Sequence, residues 1–319
     1  MSPAAASTNV PAEVQAIIDG FARFGYIADV NIATTVYLAT ALGRPILVEG
    51  PPGVGKTELA KAASQHYELP LLRLQCYEGL DESKALYEWK YSKQLLYTQI
   101  LKEQLNEVLG GADNLETSMN RLHDFGDIFY SEAFLEPRPL LKALQEPAGA
   151  VLLIDEIDKA DYEFESLLLE TLSDFQVSIP EIGTVRATSR PHIILTSNNT
   201  RDLSDALKRR CLHLYIPFPD ADLENRIVQT RVPDVPARLR QQLVDFVQQI
   251  RELDLKKAPA VSETLDWARA LILLHAHRLD GEMVDATLNL ILKFEDDIQT
   301  ARAELSGLLA DTRKRFPDE

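Results

Sequence analysis

Residues Gly50, Pro51, Pro52, Gly53, Val54, Gly55, Lys56 and Thr57 match the pattern G-x-x-x-x-G-K-[ST] in full. The chemistry open to such a stretch is capture of a nucleoside triphosphate tail. Glycines let the backbone wrap a phosphate so that amide hydrogens and a helix N-terminus point at the anion. Lys56 is placed to reach the β and γ phosphates, and the Thr57 hydroxyl to ligate Mg²⁺. Glu58, the next residue, completes the candidate ATP-binding set. A second pair, Asp155 and Glu156, closes the apolar run GAVLLIDE. Asp155 suits the metal side of the site. Glu156 points elsewhere and suits orienting or deprotonating an attacking water.

Two further features need a decision. DKAD (158–161) looks like a base-reading N-K-x-D motif, but Asp stands where Asn is needed. It reads instead as a helix start capped by Asp161, which favours ATP over GTP. LSDALKRRC (203–211) ends a helix-like run on Arg209 and Arg210. These arginines have three readings: helix-end cations, a nucleic-acid contact, or charges meant for a group outside the chain. A helix-end role is worth only about 0.3–1 kcal/mol per cation and does not require arginine over lysine.

Elements must hold these groups in place. RPILVEG reads as a short strand feeding the glycines, KTELAKAASQHY as the helix behind them, and PLLRLQ (70–75) as the next strand. GAVLLIDE, HIILTSNN and CLHLYIPFP have the continuous apolar character of parallel strands buried on both faces. FQVSIPEIGTVRA reads as a β-hairpin turning at Pro180–Gly183. Residues 100–125 are polar and read as an insertion or excursion. Helical patterns precede the first strand, and no strand signal follows residue 218. Helices are expected around 239–250, 265–272 and 281–300. The fold expected is therefore α/β: helices around a parallel sheet that carries the phosphate loop, followed by an all-helical domain. Its divisions are a flexible tail over 1–12, a core over 13–220 and a lid over 221–319.

Composition bounds what this fold does. The net charge of -16 over 319 residues argues against a phosphate-backbone binder, so nucleic acid is disfavoured as a partner. Cys76 and Cys211 share no ligand spacing, and neither a secretory leader nor a membrane span is legible, so a cytoplasmic protein is expected. His275 and His277 stand two apart on a helix and diverge, which suits no shared metal. Trp89 and Trp267 lack the basic neighbours of a base-stacking surface.

The order of motifs resembles the AAA+ ATPase superfamily from about residue 30 to 300. The strings LRLQCYEGLDESKALYEW, FLEPRPLLKAL, VLLIDEIDKAD, FESLLLETLSDFQVSIPEIGTVRA and LTSNNTRDLSDALKRRC are similar to the MoxR branch and, within it, to CoxD-like proteins. The resemblance implies a P-loop αβα AAA+ ATPase domain with a helical lid, assembled as a homo-oligomeric ring, commonly a hexamer, with ATP and Mg²⁺ at subunit boundaries. It implies that Asn198, ending HIILTSN, is a sensor 1 residue positioning water or reading the γ-phosphate. It implies that the helix closing on arginine supplies a charge across the boundary, with Arg210 the first choice and Arg209 the second. Projections are implied at about 78–100, an insertion in the second helix, and about 176–187, a pre-sensor hairpin. The implied partners are a von Willebrand factor A domain protein and a metalloenzyme client, a molybdenum hydroxylase of the carbon monoxide dehydrogenase type, in whose maturation the ATPase acts as a chaperone. One departure stands out. Where relatives carry a sensor 2 arginine, PAVSETLDWAR has Glu263 and Thr264, and the nearest cation is Arg269. The competing readings are a DNA-associated AAA+ motor or clamp loader, a non-hydrolysing scaffold, and a small-molecule kinase.

Overall fold

The computed structural model describes residues 10–97, 99, 132–180 and 182–316. The expected excursion over 100–125 lies outside the described residues, as do residues 1–9 of the expected tail. The described chain opens with α1 (Ala12–Arg23), which starts one residue inside that tail. α2 (Val30–Leu42) begins where the Asp29 carboxylate accepts the Ile32 amide at 2.7 Å and ends at Gly43, with φ 61°. β1 (Ile46–Glu49), α3 (Lys56–Tyr67) and β2 (Leu71–Gln75) follow, as their apolar patterns predict.

Between β2 and the next sheet strand the chain leaves the core. A short helix, α4 (Glu82–Ala85), leads to β3 (Tyr87–Trp89), which pairs antiparallel with β4 (Leu135–Pro137). β3 falls inside the insertion expected over 78–100 and β4 beyond it, and three-residue strands carry no periodicity from which to read them. Then come α5 (Pro139–Gln145), β5 (Val151–Asp155) and α6 (Tyr162–Asp174), the last capped by Asp161 accepting the Phe164 amide at 2.9 Å. β6 (Gln176–Ile179) and β7 (Gly183–Arg186) form the hairpin, with Val177 and Ile179 turned inward and Ser178 outward. β8 (His192–Ser197), α7 (Asp205–Arg210) and β9 (Leu212–Tyr215) complete this half.

Five strands make one parallel sheet in the order β2-β5-β8-β1-β9. The central strand β5 is buried at every position. Leu152 and Ile154 pack with α5 and α6 on one face, while Val151 and Leu153 pack with α1, α2 and α3 on the other. Each such side chain contributes about 1.5–3 kcal/mol on burial, so a strand filling both layers anchors the domain.

From α8 (Ala221–Arg231) onward the described chain is helical: α9 (Ala237–Arg251), α10 (Val261–Leu273), α11 (Gly281–Ile291) and α12 (Glu295–Arg315). These build a separate core around Phe246 and Trp267, whose indole N–H donates to the Thr287 hydroxyl at 2.9 Å. Two details differ from the sequence reading. α8, capped by Asp220, has no clean apolar stripe and was not separately legible. The helix expected over 281–300 breaks after Ile291, where extended Leu292 buries its side chain. The break lets buried Asp297, in the first turn of α12, accept the Lys256 and Lys257 amides at 2.9 and 3.2 Å. Among the described residues, no helix is long and apolar enough to cross a membrane.

The helical half is tied internally by a buried charge pair. Arg251 reaches the fully buried Glu224 through two bonds of 2.7 Å, and Thr264 and Gln248 donate to the same carboxylate. Glu224→Ala leaves Arg251 buried without its counter-charge and is expected to cost roughly 3–5 kcal/mol. Urea unfolding followed by circular dichroism checks this, and a loss below 1 kcal/mol contradicts it.

Candidate functional site

The carboxyl ends of β1, β8, β5 and β2 bring the candidate residues together. Gly50 follows β1 so closely packed that a Cβ there falls 2.1 Å from the Ile216 carbonyl oxygen, which no side chain tolerates. Gly53, with φ 73°, lies against Ala260 and Ser262 of the helical half, leaving 2.5 Å for a Cβ. Pro51, Pro52 and Val54 fill the loop between, and Gly55 in the left-handed region starts α3.

Lys56 is buried under this loop. Its ammonium donates to the Gly50 and Pro51 carbonyls and to Asn198 Oδ1, each at 2.7 Å. Desolvation lowers its pKa from 10.5 to about 8, against the pull of Asp158, Asp155 and Glu156. Thr57 Oγ donates to Asp155 Oδ1 at 3.2 Å. These two oxygen groups fit a hard cation of the Mg²⁺ type, which takes one or two protein oxygens and draws its remaining ligands from phosphate and water. Among the described residues no cluster of three or more His, Cys, Asp or Glu forms a metal cage elsewhere.

Glu156 sits at φ 58°, a conformation costly for a residue with a Cβ and held here by its neighbours. Its amide donates to the Thr196 hydroxyl at 2.9 Å, and the same hydroxyl donates to Asp155 Oδ1 at 2.6 Å. Its carboxylate accepts from Gln75 at 2.8 Å and Lys159 at 2.6 Å, with Asn198 Nδ2 at 3.4 Å. Glu156 and Asn198, the residues expected to handle water and to read the γ-phosphate, are therefore neighbours, and Asn198 also holds Lys56.

Several residues of this cluster carried no signal in the sequence. Gln75 and Arg73, both on β2, hold Glu156 and Asp155 respectively. Thr196 is a buried strand threonine. Asp158 accepts the Asn198 and Thr200 amides at 3.2 and 3.0 Å and so fixes the loop that carries Asn198. Burial pushes its carboxyl up, but hydrogen bonds from Thr200 and Asn198 outweigh this, and its pKa is lowered overall. A polar residue inside an otherwise apolar run was the one available hint.

Beside the loop, a cavity of about 460 Å³ is bounded by Tyr26, Val54, Ile227, Leu265 and the two arginines Arg231 and Arg269. Glu58 faces it and is paired with Arg231 from α8 and, at 2.5 Å, with Lys61. Glu263 accepts the Ala260 amide at 2.6 Å to start α10, and Thr264 is buried on Glu224. Both residues at the sensor 2 position are thus structural. Arg269 pairs with Asp266 at 2.8 Å, and Arg231 reaches the helix of the phosphate loop.

Arg209 and Arg210 lie elsewhere. Leu212 pairs with Ile46 at the start of β1, whereas the phosphate loop follows its end, where Glu49 pairs with Tyr215. The two arginines and the chain's own phosphate loop therefore occupy opposite ends of one strand pair, separated by a strand rising about 3.3 Å per residue. Arg210 donates to Ser173 Oγ at 2.5 Å and to the Ala206 carbonyl at 2.9 Å. Arg209 is exposed, and no side-chain partner is found for it among the described residues. Both line an open cleft of about 720 Å³ with Arg44, Arg186 and Arg190. Arg44 grips the backbone of this helix end, donating to the carbonyls of Arg209, Arg210 and Cys211 at 2.5, 3.3 and 3.2 Å.

The buried lysine gives a pH signature. A bound triphosphate favours the ammonium and returns the pKa toward the ordinary lysine range. Between about pH 8 and pH 10 the free site has then lost a proton that the loaded site keeps. ATP binding is expected to take up a proton in that window, and affinity to fall as pH rises through it. Calorimetry at about pH 9 in two buffers of different ionisation enthalpy measures the uptake. Binding with no uptake contradicts a depressed Lys56.

Comparison with known proteins places this geometry in a family. The model of the AAA domain, dynein-related subfamily, matches residues 45–211, more than half of the chain. An uncharacterized protein of Staphylococcus epidermidis is 26% identical over 238 residues, covering 72% of this chain and 76% of that protein. An uncharacterized protein of Staphylococcus aureus is 25% identical over the same shares. Among solved structures, a RuvB mutant of Thermotoga maritima aligns at 17% identity with a TM-score of 0.45, over 84% of this chain and 70% of that one. The parallel five-stranded sheet, the phosphate loop at its edge and the matched family model agree, and the chain belongs to the AAA domain family, dynein-related subfamily.

Proposed function

We propose that this protein is an ATPase that works as a ring of identical subunits, with each phosphate site completed by an arginine of the neighbouring copy. The observation that carries the reading is the two-ended sheet. One end holds a phosphate loop with Asp155, Glu156 and Asn198; the other presents Arg209 and Arg210, which the chain's own loop does not reach. Hydrolysis then needs little covalent chemistry from the protein. Lys56 neutralises the β and γ phosphates, and Thr57 with Asp155 would hold Mg²⁺, which when bound offsets phosphate charge. Glu156 accepts a proton from water as its oxygen bonds to the γ-phosphorus. The bond to the bridging oxygen breaks, and ADP leaves with that oxygen. Asn198, within reach of both Lys56 and Glu156, holds the water on line.

The finer reading follows the sequence strings shared with the MoxR branch and its CoxD-like members. On that reading the ring is a hexamer that remodels a metalloenzyme client, a molybdenum hydroxylase, together with a von Willebrand factor A domain protein. The β6–β7 hairpin and the β3–β4 ribbon are the projections offered to a partner. The net charge of -16 favours a protein client over DNA.

Glu156→Gln is expected to keep ATP binding within severalfold and to lower turnover by about 10²–10⁴, whereas Lys56→Ala loses binding. The assembly is tested by mixing. Arg210→Ala or Arg209→Ala subunits combined with Lys56→Ala subunits, each inactive alone, should recover phosphate release. Mixtures that form rings and stay inactive place the arginine's action within its own subunit.

A further inference from the structure

Asp155, the carboxylate on the metal side of the site, already has a cationic partner. The guanidinium of Arg73 donates to Asp155 Oδ2 from Nη2 at 2.6 Å and from Nε at 3.0 Å. The other oxygen, Oδ1, is taken by Thr196 and Thr57. Arg73 stands on β2, the edge strand beside β5, with Gln75 in register with Asp155. Its side chain is half-exposed (53%), while that of Asp155 is buried (5%). Arg73 thus lies at the edge of the site with its outer side open to solvent.

The same guanidinium has a second attachment. Arg73 Nη2 donates to Gln75 Oε1 at 2.6 Å, and Gln75 Nε2 donates to Glu156 Oε2 at 2.8 Å. One arginine therefore touches the metal-side acid directly and, through a single amide, the acid that handles water. Thr57 Oγ1 also lies 3.4 Å from Asp155 Oδ2, so a cation held by Thr57 and Asp155 comes beside the oxygen that Arg73 occupies, and two cations on one carboxylate repel.

We propose that Arg73 is a resident counter-cation, which neutralises Asp155 in the metal-free site and gives way when Mg²⁺ enters with the nucleotide. Arg73 is in this sense a positioning residue for Asp155, the acid on the metal side of the site. The inference rests on the ATPase reading above and assigns a role to a residue outside the loop and acid motifs.

The test titrates Mg²⁺ into full-length protein loaded with a fluorescent, non-hydrolysable ATP analogue, and reads the fluorescence of the bound nucleotide. Arg73→Gln, which retains a polar stem without the charge, is expected to tighten the apparent Mg²⁺ affinity about threefold to tenfold. Its affinity for the analogue in EDTA should stay within twofold of the unaltered chain. Arg73→Lys, which retains the charge, should keep Mg²⁺ affinity within twofold and shows that loss of fold is not the cause. Unchanged or weaker Mg²⁺ binding in Arg73→Gln, with the nucleotide still bound, overturns the counter-cation role alone. Failure of the unaltered chain to bind the analogue at all overturns the ATPase reading and this inference with it.

Discussion

The hydroxyl of Thr196 is the joint on which the reacting groups depend. Fully buried on β8, it donates to Asp155 Oδ1 and accepts the Glu156 amide. It thereby orients one acid and holds the left-handed turn that sends the next acid in another direction. A hydroxyl can fill both roles because it is donor and acceptor at once. It does so only while β5 and β8 keep their register, with Ile154 opposite Leu195. A slip of one residue turns every side chain of a strand to the opposite face. The ladder pairing of β5 with β2 and β8 sets that register and with it the geometry of the site.

From that joint a continuous run of polar contacts spans the sheet edge: Lys56 to Asn198 to Glu156 to Gln75 to Arg73 to Asp155 to Thr57. Each group has its partner before any phosphate arrives. The arrangement also restrains the site. Glu156 is held by Gln75 and Lys159, and Lys56 by two carbonyls of the loop it must leave to meet phosphate. Binding a triphosphate therefore exchanges internal partners for ligand partners, and low local dielectric raises the stakes of each exchange.

The sheet strands and the phosphate loop could be read from the chain because local chemistry dictates them. Continuous apolar runs make strands buried on both faces, and glycines are obligatory where Ile216 and Ala260 press on the loop. The candidate residues of the site were also named from the sequence, but their partners were not. Arg73, Gln75 and Arg44 are ordinary polar residues until register and strand order set them beside Asp155, Glu156 and the end of α7. Short elements escaped for a related reason. β3 and β4 have three residues each, and the break at Leu292 is imposed by what Asp297 must reach in another loop. Non-local demands of this kind leave no periodic trace.

The pair of arginines closing α7 can now be weighed against its simplest explanation. Cations at a helix end are ordinarily there for the unpaired carbonyls. Here Arg44, in the short link between α2 and β1, already donates to the carbonyls of Arg209, Arg210 and Cys211. That contact uses the planar fork of a guanidinium, which a lysine cannot reproduce. Arg210 adds one bond to Ala206, so the helix end has what it needs without Arg209. What remains is a positively lined cleft on an acidic protein, at the end of the sheet away from its own phosphate site. Five arginines, Arg44, Arg186, Arg190, Arg209 and Arg210, share that lining with one carboxylate, Asp174, so positive charge stays in excess and the arginines repel. On the ring reading proposed above, a second copy of the chain would bring its bound triphosphate to that cleft, which would relieve the repulsion and complete the hydrolytic site in one step.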